Sequence, residues 1–565
     1  MPSWYDLAVD KRQRQSKTIP SQWRIQLPPE STIDVIPYPE TCGLLTPEEI
    51  EITNASVEIL LVKLAAGEWS SFIVTTAFYK RAVISHQLVV NCLTEIFVER
   101  ALARATELDE YMKKTGKVAG PLHGLPISLK DQLCIKGLET TMGYVSWIGK
   151  YADSNAVLVD ILYECGAVPF VRTNVPQTLM WAETFNNIFG RTSNPHNRSL
   201  TSGGSSGGEG ALVALKGSPL GVGSDIGGSI RIPAAFCGVY GLRPSYGRIP
   251  YGGAVNSMEG QDSMPSVLGP LSGSIGGLKI FMEAVIKAEP WLRDPLTIRK
   301  HWNDEEYKLA DHRRGKDLCF AVMWDDGVVI PHPPVKRALE MTQKALIKAG
   351  HKVIDWTPLK HRELTGVAFD IWRSGSVEDF AITTSASGEP LIHTMLLDDE
   401  KETFLPSLRT QGGLTAYQLW QVQRYRRDLR TEYMAHWNAT SSQTGTGRPV
   451  DAIICPAAPY AAPRHGRNRL VKVVDSHHSM YFGYTSAWSV LDYAASIFPV
   501  TSVDPYRDTK QPPHQFIDGF DQEIYELYEP QAFQNAPVCL QLVGRTLEEE
   551  AVLAMTGIVD FALRG

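Results

Sequence analysis

The stretch 201-TSGGSSGGEGALVALKG-217 places four glycines and three serines in its first eight residues and then turns to helix-forming residues. How it is read decides the fold. Gly/Ser runs are common in flexible linkers, but this one is short and lies inside a patterned region. A phosphate-cradling loop needs G-x-x-x-x-G-K-[ST]. The Gly-Lys pairs at 116–117, 149–150 and 315–316 all lack the following Ser or Thr. No G-x-G-x-x-G follows a convincing strand either.

A catalytic reading has two versions. Gly204-Ser205-Ser206-Gly207-Gly208 fits G-x-S-x-G, the nucleophile elbow of α/β-hydrolases. That elbow must follow a hydrophobic strand, whereas 193-SNPHNRSLT-201 is polar and turn-like. Ser206 is therefore not read as the attacking serine. The other version looks downstream, to 221-GVGSDIGGSIRIPAAFCG-238. Consecutive glycines there let the N–H groups of Ile226, Gly227, Gly228 and Ser229 converge on one point, a nest able to hold an oxyanion. A serine at the end of that nest is placed to attack the same carbonyl. It needs a base, and Lys130, ending the short run of 121-PLHGLPISLKDQL-133, is a candidate. Taken singly, a G-G-S string is more often a tight strand-to-helix turn, and a lysine at a strand end is normally solvated.

The surrounding sequence alternates. GLPISL (124–129) and VPFVRT (168–173) read as buried strands, with 153-DSNAVLVDILYECGA-167 between them as a helix capped by Asp153 or Ser154 and closed at Gly166. The scheme repeats in 334-PVKRALEMTQKALIKAGHKVIDW-356, and 451-DAIICP-456 and 537-PVCLQLVG-544 read as further buried strands. Glu548, Glu549 and Glu550 near the start of the last helix suit its dipole. In 89-VVNCLTEIFVERALARATELDEYMKK-114 the spacing of Leu93, Ile96, Phe97, Ala101 and Leu108 predicts one helix. Strand-helix alternation predicts an α/β fold layered around a large, mixed but mostly parallel sheet. Residues 1–50 are charged and proline-dotted and are read as an arm, with 51–565 as a single catalytic domain.

Bulk composition excludes some functions. Of 565 residues, 43% are hydrophobic and 21% charged, and the net charge of −7 argues against a nucleic-acid partner. Eight scattered cysteines without a C-x-x-C pair read as reduced core residues. The N-terminus MPSWYDLAVDKRQRQSK has no signal-type apolar region. The most apolar segment, 56–78, is interrupted by Lys63 and Glu68, so no membrane span and a cytoplasmic location are expected.

Three strings in order, PLHGLPISLKD, GGSSGGEGAL and SDIGGSIRIPAAFCG, resemble the amidase signature family. Lys130 precedes Ser205 by 75 positions, and Ser205 precedes Ser229 by 24, both matching the family's Lys–Ser–Ser triad. VNCLTE (90–95), TNVPQ (173–177), GLRPSYGRIP (241–250), GPLSGSI (269–275) and PVCLQLVGR (537–545) match too, from about residue 50 to the C-terminus. Length and arm are most similar to fungal acetamidase-type members. The resemblance implies an amidase-signature fold and hydrolysis of an amide to acid and ammonia or amine. It makes Ser229 the nucleophile, Ser205 the bridging serine after a cis peptide at Gly204, Lys130 the base, and the N–H groups of Ile226 to Ser229 the oxyanion hole. Ser206, Asp225 and Arg231 take supporting places. No metal or organic cofactor is implied. The partner is a small-molecule amide, and the residues leave oligomeric state, a homodimer included, open.

The chemistry sets a condition. Lys130 must be neutral to accept a proton, which means lowering its pKa by roughly 3 units from about 10.4, about 4 kcal/mol, as burial can do. Asp131 would oppose this, but neighbours on an extended segment point to opposite faces, so its carboxylate is expected to face away. His123, seven residues before Lys130, is read as structural. His477 and His478 lack spaced metal-binding partners, and Cys237 is read as a core thiol. Leu179, Met180 and Trp181 follow TNVPQ where the resemblance places an acyl pocket. Tyr481, Tyr484 and Trp488, at helical spacing, are a second candidate wall. These residues favour a small aliphatic or aromatic amide over a long fatty one. Three alternatives remain: an amidotransferase subunit passing ammonia to a partner, a non-enzymatic interaction protein on an amidase scaffold, and an α/β-hydrolase whose reactive serine would be Ser206.

Overall fold

A computed structural model describes residues 2–395, 413–467 and 481–565. Eleven strands form one sheet: β1 (Leu93–Ile96), β2 (Pro126–Lys130), β3 (Val168–Thr173), β4 (Leu220–Asp225), β5 (Tyr240–Arg243), β6 (Val267–Ser272), β7 (Cys319–Val322), β8 (Lys352–Asp355), β9 (Ala452–Pro456), β10 (Ala495–Ser502) and β11 (Pro537–Val543). Their order is β1-β3-β2-β4-β6-β5-β10-β11-β9-β7-β8. β2, β3, β4, β6, β9 and β11 are buried at every position. Side chains alternate between the faces of a strand, so such strands are covered on both sides, and the architecture is layered α/β as expected. A continuous apolar core runs from Ile19 to Val559.

The sheet is mixed, but it is not mostly parallel. β2 pairs parallel with β3 and β4, and β7 with β8 and β9. All other pairings are antiparallel. The alternation in the sequence is real, yet it does not report adjacency. β4, the helix Arg231–Cys237 and β5 make a strand-helix-strand unit whose strands run the same way, and β6 inserts antiparallel between them.

Residues 89–114 also depart from the single predicted helix. The helix Ser71–Ser85 passes into a wider turn at His86–Val90, and Asn91 takes a left-handed conformation (φ 53°) that redirects the chain. Leu93 and Ile96 then extend to pair with Thr173 and Val171, and the helix begins only at Val98. A three-to-four spacing of a few apolar residues fits both structures, and the free edge of β3 decides. The helix Val157–Glu164 starts at Ala156 with no side-chain cap, so neither Asp153 nor Ser154 serves there. Glu549 and Glu550 do open the last helix, but they are fully buried against Arg248, at 2.9 and 2.7 Å. Ion pairing therefore joins the dipole in placing them. Near the N-terminus, Trp4–Thr18 is helical with a Ser3–Asp6 capping box, and its Lys11 is buried and ion-paired with Glu95 and Glu139. Among the described residues no helix is long and apolar enough to cross a membrane.

Candidate active site

β2 and β4 are parallel neighbours, so their carboxyl ends open at one place, where α/β sheets commonly bind ligands. Lys130 ends β2 and Asp225 ends β4. Lys130 is fully buried. Its Nζ lies 2.7 Å from Ser205 Oγ and 2.7 Å from Ser224 Oγ, and the Ser224 hydroxyl donates to Gln132 Oε1. Burial lowers the lysine pKa to about 7, against the pull of Asp225 and Glu209. Asp131 points away, as expected: Oδ1 pairs with Arg172 at 3.1 Å and Oδ2 accepts from Thr141 Oγ1 at 2.7 Å.

The loop carrying Ser205 is pressed between neighbours. The Gly204–Ser205 peptide is cis. At Gly204 a Cβ would come 2.3 Å from the Trp181 carbonyl oxygen, so only glycine fits. Ser206 is buried at the entrance of the helix Gly207–Ala214, and its Oγ accepts from Ser224 N–H at 3.3 Å. A short hairpin strand, Asn197–Thr201, precedes the loop, but its partners, Ser193–Asn194 and a bridge to Arg464, lie outside the central sheet. Ser206 is thus a loop-to-strand tie and not an exposed elbow.

Ile226–Ile230 links β4 to the helix Arg231–Cys237. Asp225 organises this turn. Its carboxylate accepts from Gly228 N–H at 2.7 Å and Ile230 N–H at 3.2 Å, and Arg231 grips it through Nε and Nη2, both at 2.9 Å. Burial alone would raise the Asp225 pKa, but Arg231 holds it below the usual carboxylate range. The Gly228 N–H is therefore spent on Asp225. The N–H groups of Ile226, Gly227 and Ser229 have no acceptor among the described residues. Ser206 N–H donates to the Ser229 carbonyl at 3.1 Å, which stitches the two serine loops together. No hydrogen bond joins the hydroxyls of Ser205 and Ser229 among the described residues, and Ser229 lines a cavity of about 70 Å³.

Leu179, Met180 and Trp181 line that cavity, with Ile226 and Gly227 beside Ser229. Further lining comes from Phe369 and Trp372 of the helix His361–Arg373 and Phe380 of the helix Ser376–Ser385, with Trp372 packed directly against Gly227. The sequence reading missed these residues: their helices carry no motif, and only the chain path brings them to the cavity that Ser229 lines. Tyr481, Tyr484 and Trp488 are not at the wall. Tyr481 donates to the Asp326 carboxylate, Tyr484 to the Val329 carbonyl at 2.6 Å, and Trp488 packs edge-on against His361 and Tyr433. The segment is a helix, Gly483–Leu491, as its spacing implied. Its hydroxyl stripe faces the site in place of its aromatic one. Thr485 Oγ1 donates to the Gly227 carbonyl at 2.7 Å, and Ser489 Oγ accepts from Arg231 at 2.8 Å.

His123 accepts from Ala119 N–H at 3.1 Å, and the buried Cys237 thiol donates to the Ser202 carbonyl at 3.4 Å. Burial raises that thiol's pKa well above the ordinary value. Among the described residues no group of three or more His, Cys, Asp or Glu could hold a metal ion; His477 and His478 lie outside them.

Residues 73–553 match the amidase family model, and the chain belongs to that family, hydrolases of amide C–N bonds. An acetamidase of Aspergillus oryzae is 44% identical over 559 residues, 99% of this chain and 98% of that protein. An acetamidase of Emericella nidulans is 44% identical over 555 residues, 98% and 97% of the two chains. A solved fatty acid amide hydrolase superposes with a TM-score of 0.88 at 35% identity, covering 99% of this chain and 95% of its own.

Proposed function

We propose that the chain hydrolyses a small aliphatic or aromatic amide through an acyl-enzyme on Ser229, with Ser205 and Lys130 as its proton relay. One observation carries this reading: a fully buried lysine, its pKa lowered to about 7, with two serine hydroxyls and no carboxylate in contact. In its neutral form Lys130 keeps one N–H for Ser224 and turns its lone pair toward Ser205. The Ser229 proton then passes to Ser205 as the Ser205 proton passes to Lys130, and Ser229 Oγ attacks the carbonyl carbon. The free N–H groups of Ile226, Gly227 and Ser229 are the donors available to the developing oxyanion; Gly228 serves instead to set the turn. Collapse returns the proton through Ser205 to the departing amine. Water then repeats the sequence on the ester and releases the acid.

Cavity size supports the small aliphatic end of that class. An apolar cavity of about 150 Å³ holds a benzene ring, and the one here is about 70 Å³. Both acetamidase relatives fit that scale. The apolar walls also favour a second reading, a longer acyl amide of the kind named for the solved fatty acid amide hydrolase. Turnover of acetamide, benzamide and oleamide series separates the two, and oleamide as the best substrate would reject the first. A fluorophosphonate probe should label Ser229; labelling at Ser206, or none, would reject the mechanism. Activity of the purified chain alone distinguishes a hydrolase from an ammonia-transferring subunit. We also propose residues 51–565 as one catalytic unit and a cytoplasmic location, which the eight free thiols support.

A further inference from the structure

The helix Gly207–Ala214 carries a second buried ionisable group beside the site. Glu209 has no exposure and makes no ion pair among the described residues. Among the described residues its oxygens accept only from two hydroxyls, Ser128 Oγ at 2.5 Å and Thr173 Oγ1 at 2.7 Å. Ser128 lies two positions before Lys130 on β2, so both side chains leave the same face of the sheet. Thr173 is the register partner of Lys130 on β3, and Gly221 is the register partner of Ser128 on β4. At Gly221 a Cβ would come 2.0 Å from Glu209 Oε2. Three adjacent strands are therefore shaped to seat a carboxylate next to the lysine.

We propose that Glu209 is a positioning residue that sets the pH at which Lys130 becomes a free base, the two buried groups holding one proton between them. The proposal rests on the reading of Lys130 as the base. The physical reason is the cost of a lone charge in the interior. Lys130 as an ammonium opposite a carboxylate is net neutral, and so is a free amine opposite a carboxylic acid. Other ionisable groups nearby do not take this part. Asp225, at the end of β4, is neutralised by Arg231. Cys92 is buried, and its thiol is raised far above the ordinary range by burial. Burial pushes Glu209 up to about 7, against its two hydroxyl donors and Lys130, so both partners exchange charge over one pH range.

The test is the pH profile of kcat/KM. Glu209→Gln keeps the size and both hydroxyl contacts but removes the charge, so the acid limb should move to lower pH by about 1 unit or more. Glu209→Asp keeps the charge, and its limb should stay within about half a unit of wild type. A Glu209→Gln limb that coincides with wild type overturns the proposal. Should circular dichroism show that Glu209→Gln fails to fold, Thr173→Val removes one hydroxyl donor, weakens the carboxylate as an anion, and should move the limb the same way by less; an unmoved limb again overturns the proposal. Lys130→Ala separates the two ideas. If it keeps wild-type turnover, the base assignment fails. If it is inactive while the limb of the Glu209 variant stays fixed, only the role of Glu209 fails.

Discussion

Lys11 and Lys130 are the same residue type, and both are nearly inaccessible, at 3% and 0% exposure. Their states are opposite. Lys11, on the N-terminal helix, meets two carboxylates, Glu95 and Glu139. Burial alone would lower its pKa, but the two anions raise it above the ordinary lysine range. Lys130 meets two serine hydroxyls, and burial takes its pKa to about 7. Burial makes a lysine's charge expensive, and the partner decides whether the charge stays. At Lys11 the charge fastens the N-terminal helix to the body. At Lys130 the missing contact anion leaves a base that is free near neutral pH.

The largest expected effect tests the chemical side of this contrast. Ser229→Ala should lower kcat by about 10⁴–10⁶-fold, and adding Lys130→Ala should lower it little further, because a relay acts as a unit. Fully additive losses in the double variant would break the relay.

Next comes stability. Lys11→Met takes the buried cation from half-buried Glu95 and from buried Glu139, which keeps Arg14, and should cost about 3 kcal/mol in denaturant unfolding, while kcat/KM per folded molecule stays at the wild-type value. Lys130→Met should do the reverse, abolishing turnover at a smaller stability cost of about 1–2 kcal/mol, because it takes a partner from two buried serine hydroxyls and from no contacting carboxylate. A stability loss at Lys130 equal to that at Lys11 would erase the distinction.

The pH profile sharpens it. In the proposed relay the reactive form is the neutral amine, and the folded pKa lies below that of free lysine. Activity should therefore be full above about 7 and fall as pH drops through that value, about tenfold per unit. An acid limb above pH 9 would mean that Lys130 keeps its charge as Lys11 does. The smallest effect is expected at the brace. Thr485→Val removes the hydroxyl bond to the Gly227 carbonyl, worth about 1 kcal/mol, and should cost a several-fold fall in kcat/KM with little change in KM. A larger loss in KM would place Thr485 in substrate binding.

Much of this was legible from residues alone. Short apolar runs marked β2, β3, β9 and β11, since a buried strand must be apolar along its length. The family strings pointed to Lys130, Ser205 and Ser229, and the fold brings Lys130 and Ser205 within 2.7 Å of each other. Strand alternation also told that Asp131 turns away from Lys130, a matter of one bond's geometry. The tertiary structure decided the rest, and in each case the reason is a contact between distant segments. Leu93–Ile96 became a strand because β3 had an open edge. The sheet became mixed because β6 entered between β4 and β5. The helix at 483–491 was visible in its spacing, but only packing chose Thr485 and Ser489 over Tyr484 and Trp488 to face the site. Local sequence sets what a segment can form and which groups it offers. Which face it presents, and whether a buried lysine finds an anion or a hydroxyl, depends on chains that meet only after folding.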